Sequence, residues 1–337
     1  MATMEKPAPD SSRRRRNWRR LAGPKQFALL GAVLALLLPL ILQSDYLILV
    51  TDMGAVVGLI VLGLVVLAGY TGLVSLGQVA FYSIGAYVGA IVTTRLGWSP
   101  WVLLLIAPTV AAAFGVLVGI PAFNLRGPFL VIITIGFAEI IRILVINLEQ
   151  LTGGPFGISR IPPLKLAGLD LARPRFFYYF IVVLLALAMY AAIRLRKSRV
   201  GRALIAIRDD ELTAEVMGVN VKYYKIMSFA ISAFLAGFAG ALYAFLTSYI
   251  GPDLYTFNES ASYLCMSVLG GFNAVVSPLV GVLLTLLPEL LRSLKDYYML
   301  FFSFILMVLV LFAAWREHKA ASSDSDSDRD TNKEMGA

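Results

Sequence analysis

Long stretches without a charged residue run through the chain at Phe27 to Ser44, Met53 to Thr94, Leu96 to Leu125, Phe176 to Ile193, Ile226 to Pro252, Ser260 to Pro288 and Tyr297 to Trp315. A membrane-crossing helix needs about 20 apolar residues, and a charge at its centre costs about 2.5–3.5 kcal/mol, so these stretches predict spanning helices. The run from Met53 is too long for one crossing, and Gly69-Tyr70-Thr71-Gly72 offers a turn that divides it into two helices. Pro128 to Leu148 reads as a further span although it contains Glu139 and Arg142. The segment Ser260 to Arg292 is too long for one helix and short for two, with Gly270-Gly271 and Pro278 placed to break it. Reading it as one span gives nine crossings, and reading it as a short broken helix plus a full one gives ten. We prefer ten, because helices interrupted by Gly and Pro are common in transporters.

Charge placement orients these spans. Arg13 to Arg16, Arg19 and Arg20 stand just before the first apolar stretch, where arginine holds a flank in the cytoplasm. The sequence Gln43-Ser44-Asp45-Tyr46 after that stretch lacks a small-x-small cleavage site, so the stretch reads as an uncleaved first helix. From an inside start the span at Phe176 to Ile193 exits to the cytoplasm. The following loop, 194–225, carries Arg194, Arg196, Lys197, Arg199, Arg202, Arg208, Lys222 and Lys225, in agreement with basic loops staying inside. The Gly- and Pro-rich loop 150–175 falls on the outer side. The expected organisation is a basic cytoplasmic tail at 1–25, a membrane domain at 26–315 and a polar, disordered tail at 316–337, in which Ser and Asp alternate over Ser322 to Asp330.

Composition narrows the picture further. The chain has 337 residues, 59% hydrophobic and 15% charged, and its mean hydropathy is +0.79. Soluble domains are about 25% charged, so the expected fold class is an all-α polytopic integral membrane protein. The net charge of +8 is spent on flanks and loops and does not indicate nucleic acid. One cysteine, Cys265, excludes an intrachain disulfide framework, and one histidine, His318, excludes histidine triads and multi-histidine metal sites. No phosphate-binding Gly-x-x-x-x-Gly-Lys-Ser/Thr sequence is present, so any ATP use must come from a partner.

Three constellations could carry chemistry. Within loop 194–225, Asp209-Asp210-Glu211 can cap a short helix and Gly218 can end it after about two turns, with Glu215 between them. Such a helix is either a connector at the membrane surface or a docking element for a cytoplasmic motor. The segment Gly72 to Ala90 combines small residues with Ser75, Gln78, Ser83 and Tyr87, whose polar groups should face protein or a water-filled path and not lipid. Helix packing and solute contact both account for it. Glu139 and Arg142, three apart, share a helix face and can neutralise one another, as a structural ion pair or as part of a path. Asp52 reads as a surface acid near a helix start.

In these residues the sequence resembles the permease subunits of branched-chain amino acid ABC transporters, of the LivM type. Four stretches carry the likeness, in family order. They are Gly72 to Ala90; Leu125 to Thr134, continuing through Glu139-Ile-Ile-Arg142 to Leu151-Thr-Gly-Gly154; Gly201 to Ala244; and Gly270-Gly271 through Pro278 and Gly281. The resemblance implies a type II ABC importer-like permease bundle in the bacterial inner (cytoplasmic) membrane. It implies as partners a second permease subunit, two cytoplasmic ABC ATPases that bind ATP and Mg, and a periplasmic substrate-binding protein. No cofactor is expected in this chain. Arg208, Asp209, Asp210, Glu211, Glu215 and Gly218 align with the family's ATPase-coupling segment, and Ser75, Gln78, Tyr87 and Thr134 are the expected path-lining residues. Two positions depart from the family pattern: Gln78 stands where relatives often have histidine, and Pro155-Phe156 replaces small polar residues. The expected function is import of branched-chain or related hydrophobic amino acids by alternating access. The alternatives are a permease of the same family for urea or short amides, and an ion-coupled secondary transporter whose only intramembrane candidate is Glu139.

Overall fold

A computed structural model describes residues 44–122, 127–166, 169–170 and 174–290. The chain divides after Asp45, and all but the first two described residues belong to the unit that starts at Tyr46. The expected first span, the last span at Tyr297 to Trp315 and both polar tails lie outside the described residues.

Six described helices are long and apolar enough to cross a membrane, which makes this a multi-pass membrane protein. They are α1 (Asp45–Leu64), continued by a π-helical turn at Val65–Tyr70, α2 (Gln78–Leu96), α3 (Pro100–Ala122), α4 (Pro128–Asn147), α6 (Pro174–Lys197) and α9 (Val221–Thr247). Between them lie α5 (Glu149–Thr152), α7 (Arg199–Asp209) and α8 (Glu211–Val216). After α9 come α10 (Phe257–Leu269) and α11 (Val276–Leu290). The run from Met53 does divide near Gly72, whose φ of 75° lets the chain leave the helix without a Cβ penalty.

Small residues set the packing. α2, α3 and α9 form the tightest group: a Cβ on Gly85 would meet the Gly237 carbonyl, one on Gly237 the Ala111 methyl, and one on Gly240 the Tyr82 carbonyl. Such approaches replace the missing hydrophobic drive between helices in lipid with close van der Waals contact. Apart from Thr51 and Asp52, α1 is apolar around its circumference from Tyr46 on and is buried on most of its length, against α11 at Gly54 and Gly58 and against α9 at Gly63. By contrast α4 and α6 keep broad exposed apolar faces, including Ile132, Ile140, Val183 and Leu187.

Several contacts fix which connections share an end of the bundle. Arg208 Nη1 donates to the Gly69 carbonyl at 2.5 Å, so the α7–α8 region sits at the same end as the α1–α2 turn. At the opposite end β1 (Ile158–Ser159) pairs antiparallel with β4 (Tyr249–Ile250), and Arg95 donates to the Gln150 carbonyl. A second small hairpin joins β2 (Lys165–Leu166) to β3 (Leu169–Asp170).

The segment after α9 differs from a single broken span. α10 has 13 residues, too few to cross, and the chain turns at Gly270–Asn273 so that Ser277 Oγ donates to the Ser267 carbonyl at 3.2 Å. Phe272, at a φ of 52°, lies against Gly69 at the far end of α1. α11 is described over 15 residues. The loop 194–225 is also more ordered than expected, since α6 extends to Lys197 and the helices α7 and α8 fill most of the stretch from there to Val221.

Candidate translocation and coupling sites

The polar residues of α2 and its leading loop point inward. Ser75, Gln78 and Thr134 have no exposed surface, and Tyr87 is buried. Gln78 Nε2 donates to Ser232 Oγ at 2.5 Å, whereas its Oε1 has no partner among the described residues. Thr134 Oγ1 accepts from the Leu76 N–H at 3.1 Å and donates to the Val131 carbonyl at 2.9 Å. Ser75 Oγ accepts from the Gly77 N–H at 3.2 Å. Three of the four expected path residues thus cluster where the loop before α2 enters between α4 and α9. Tyr87 stands apart, more than two turns further along α2, against the Tyr255 ring at 5.9 Å.

Glu139 and Arg142 pair as their spacing predicts, through Arg142 Nε at 3.0 Å and Nη2 at 2.5 Å from the Glu139 carboxylate. Their environment differs from a buried pair: the side chains are 46% and 32% exposed. Asp52 also departs from its sequence reading. α1 begins at Asp45, seven residues earlier, so Asp52 lies two turns inside the helix, fully buried, with neither carboxylate oxygen partnered among the described residues.

At the α7–α8 end the sequence pattern translates directly into a capped helix. Asp210 is the N-cap of α8: its carboxylate accepts from the N–H groups of Leu212 and Thr213 and from the Thr213 hydroxyl at 2.7 Å. These bonds, the Thr213 hydroxyl foremost, hold the Asp210 carboxyl below its ordinary value. Gly218, at a φ of 85°, closes the helix while the Val219 N–H reaches back to the Ala214 carbonyl at 3.0 Å. Glu215 is exposed beside the tip, and Asp209 is the last residue of α7. Leu212, Val216 and Met217 are exposed on this helix, the last two at 87% and 78%. Glu211 anchors the helix instead, accepting from Lys225 Nζ of α9 at 2.7 Å, and that lysine is 2% exposed. Arg208 is exposed as well, and reaches the other way, against Gly69 and Gly72. The six residues therefore separate into an exposed apolar-tipped helix and two tethers, Arg208 to α1 and Glu211 to α9.

Sequence reasoning missed Lys225 as a buried partner, because a lysine in a basic loop carries no sign of burial. It also missed the tyrosines that gather around Tyr82: Tyr255 at 5.3 Å and Tyr243 at 5.8 Å, ring centre to ring centre. Their residue numbers are far apart, and only folding brings α2, α9 and the stretch before α10 together. Among the described residues no cluster of His, Cys, Asp or Glu could hold a metal ion.

Comparison with known proteins adds an independent line. LivM, the high-affinity branched-chain amino acid transport system permease protein of Escherichia coli, is 37% identical over 279 residues. That match covers 76% of this chain and 65% of LivM, so the chain spans under two thirds of that relative's length. LivH of the same organism, also named a high-affinity branched-chain amino acid transport permease, is 27% identical over 77% of this chain and 89% of its own length. A probable LivM of Methanocaldococcus jannaschii is 26% identical over 62% of this chain and 66% of its own. No solved structure matches. The sequence profile described as branched-chain amino acid transport system / permease component matches residues 46–311, and this chain belongs to that family.

Proposed function

We propose that this chain is the permease subunit of an ATP-binding cassette importer that carries branched-chain or related hydrophobic amino acids across the bacterial inner membrane. The observation that carries the reading is the family match over residues 46–311, together with a relative 37% identical that is named for this transport. The partners are a second permease, two cytoplasmic ATPases that bind ATP and Mg, and a periplasmic binding protein; the chain itself has no ATPase site and no cofactor. The likeness to both LivM and LivH supports a paired permease.

In this reading the membrane domain 26–315 has nine or ten spans in a type II-like bundle, with loop 150–175 outside and 194–225 inside. α8 is the docking element. Its capped frame supports it, and its exposed Leu212, Val216 and Met217 offer an apolar tip to an ATPase surface. Closure of the ATPases moves α8, and the tethers through Arg208 and Glu211 pass that movement to α1 and α9. Ser75, Gln78, Thr134 and Tyr87 line the path, which needs only weak contacts because selection rests with the binding protein. Purification with co-expressed partners, followed by ATPase measurement across amino acids, urea and short amides, tests this. Stimulation by leucine, isoleucine or valine is expected, and stimulation by urea or an amide alone would transfer the chain to that solute class.

One observation favours a second reading, ion-coupled transport without an ATPase: Asp52 is a buried carboxyl inside a span with no partner among the described residues. Uphill uptake by the chain alone in vesicles, driven by a proton or sodium gradient, would select it.

A further inference from the structure

The importer reading leaves open where a solute meets the interior of this chain, and the tyrosines beside α2 bear on that. Tyr82 and Tyr87 of α2, Tyr243 of α9, Tyr255, and Glu259 and Tyr263 of α10 come together from four parts of the sequence. Tyr82, Tyr87, Tyr255 and Tyr263 are each at most 5% exposed. Glu259 and Tyr263 stand one turn apart on α10 and so share a face of that helix. The hydroxyls of Tyr87 and Tyr255 are buried and have no hydrogen-bond partner among the described residues. Leaving a buried hydroxyl unpaired costs about 1–3 kcal/mol, and two in one cluster call for a partner that comes and goes.

Glu259 supplies the opening. It is exposed, whereas the rings behind it are not. It also lies alongside a spanning helix: the next residue, Ser260, accepts from the Val79 N–H at 3.2 Å, and Tyr255 packs on Tyr82 and Tyr87. A carboxylate at that depth is expensive against lipid and marks a face that meets water or protein. The sequence Thr256-Phe-Asn-Glu259 has the pattern of a helix-capping box, but the Thr256 side chain makes no capping bond.

A carboxylate, aromatic faces and hydroxyl oxygens, with no lysine or arginine among the six residues, match a cation. We propose that Glu259 and the tyrosines around Tyr255 form a binding site for the primary ammonium group of an apolar solute on its way through the bundle. This rests on the importer reading and names the part of the solute the chain itself recognises. The rings shelter an aliphatic chain, the carboxylate takes the charge, and the two unpaired hydroxyls accept from the remaining ammonium hydrogens.

The test uses the assembled transporter with its partner permease, ATPases and binding protein, in vesicles for leucine uptake and in detergent for melting and labelling. Tyr255→Phe and Glu259→Gln should each lower uptake at least fivefold, with melting temperatures equal to or above that of the unaltered complex. The tyrosine hydroxyl has no structural partner to lose, so a purely structural role would leave uptake intact. In the unaltered complex, isopentylamine should slow carbodiimide labelling of Glu259, read by mass spectrometry, while 4-methylpentanoate should not. A fall in uptake of less than fivefold in either variant overturns the proposal. So does a fall accompanied by a lower melting temperature, or labelling slowed by the acid or by neither compound. If the unaltered complex takes up no leucine but isopentylamine still protects Glu259, the importer reading fails and the ammonium site stands.

Discussion

Glu139 and Arg142 show how spacing can fix a contact and leave its setting open. Three residues apart on a helix, they were bound to meet, and they do so within 3.0 Å. Their half-exposed position on α4 depends on which neighbours cover that helix, which no local pattern encodes. If the pair serves to make both charges tolerable, Glu139→Ala alone should lower thermal stability by on the order of 1 kcal/mol. The double replacement with Arg142→Ala should recover most of it, as melting of the purified complex would reveal. A double variant that melts normally and transports nothing assigns the pair to the path instead. Asp52 is the reverse case, where the apparent start of the apolar run at Met53 hid eight further residues of helix, Asp45 to Asp52. Under the importer reading Asp52→Asn leaves leucine uptake unchanged, whereas its loss in that variant would revive ion coupling.

Helices were the most legible feature, because charge-free runs and glycine breaks are local. The division near Gly72 and the Asp210-to-Gly218 helix both follow from side-chain chemistry within a few residues. The Asp210 cap is fully present above the ordinary carboxyl value of 3.8 and is lost only as pH falls through its lowered value. Hydrogen exchange in α8 should accordingly be flat from about pH 5 to 8 once corrected for intrinsic rates, and Asp210→Ala should abolish that protection at every pH. Under the importer reading, replacing Glu215 or Gly218 should separate ATP hydrolysis from uptake while the chain still inserts; unaltered uptake in both would remove α8 from the proposed coupling route. The meeting of α2, α3 and α9 was less legible, since glycines 85, 237 and 240 name no partner until the helices are placed. Gly237→Leu should destabilise the bundle by about 1–3 kcal/mol or more, measured as a lowered melting temperature, because backbone and the Ala111 methyl occupy the space.

At the scale of the molecule, alternation of connections between the two ends follows from the number of crossings, and the contacts of Arg208 with Gly69 and of β1 with β4 agree with it. The break at Gly270-Gly271 was legible as the end of a short helix; what could not be foreseen was its partner, since the chain from β4 to Phe272 runs from one end of the bundle to the other and meets Gly69 there. Under the importer reading, a cysteine placed at Met217, in a Cys265→Ala background, should react readily with a membrane-impermeant maleimide in the isolated chain and slowly once partner ATPases are added. The π-helical turn at Val65–Tyr70 gives this arrangement a mechanical sense. There the α1 backbone winds one residue wider than in its flanks, and it is the Gly69 carbonyl of that turn that receives Arg208. If α8 is the docking element proposed, a tug on the connecting helices would arrive where α1 can tighten or slacken by a residue, and would rotate the rest of that helix about its own axis while the glycine-locked trio stays put.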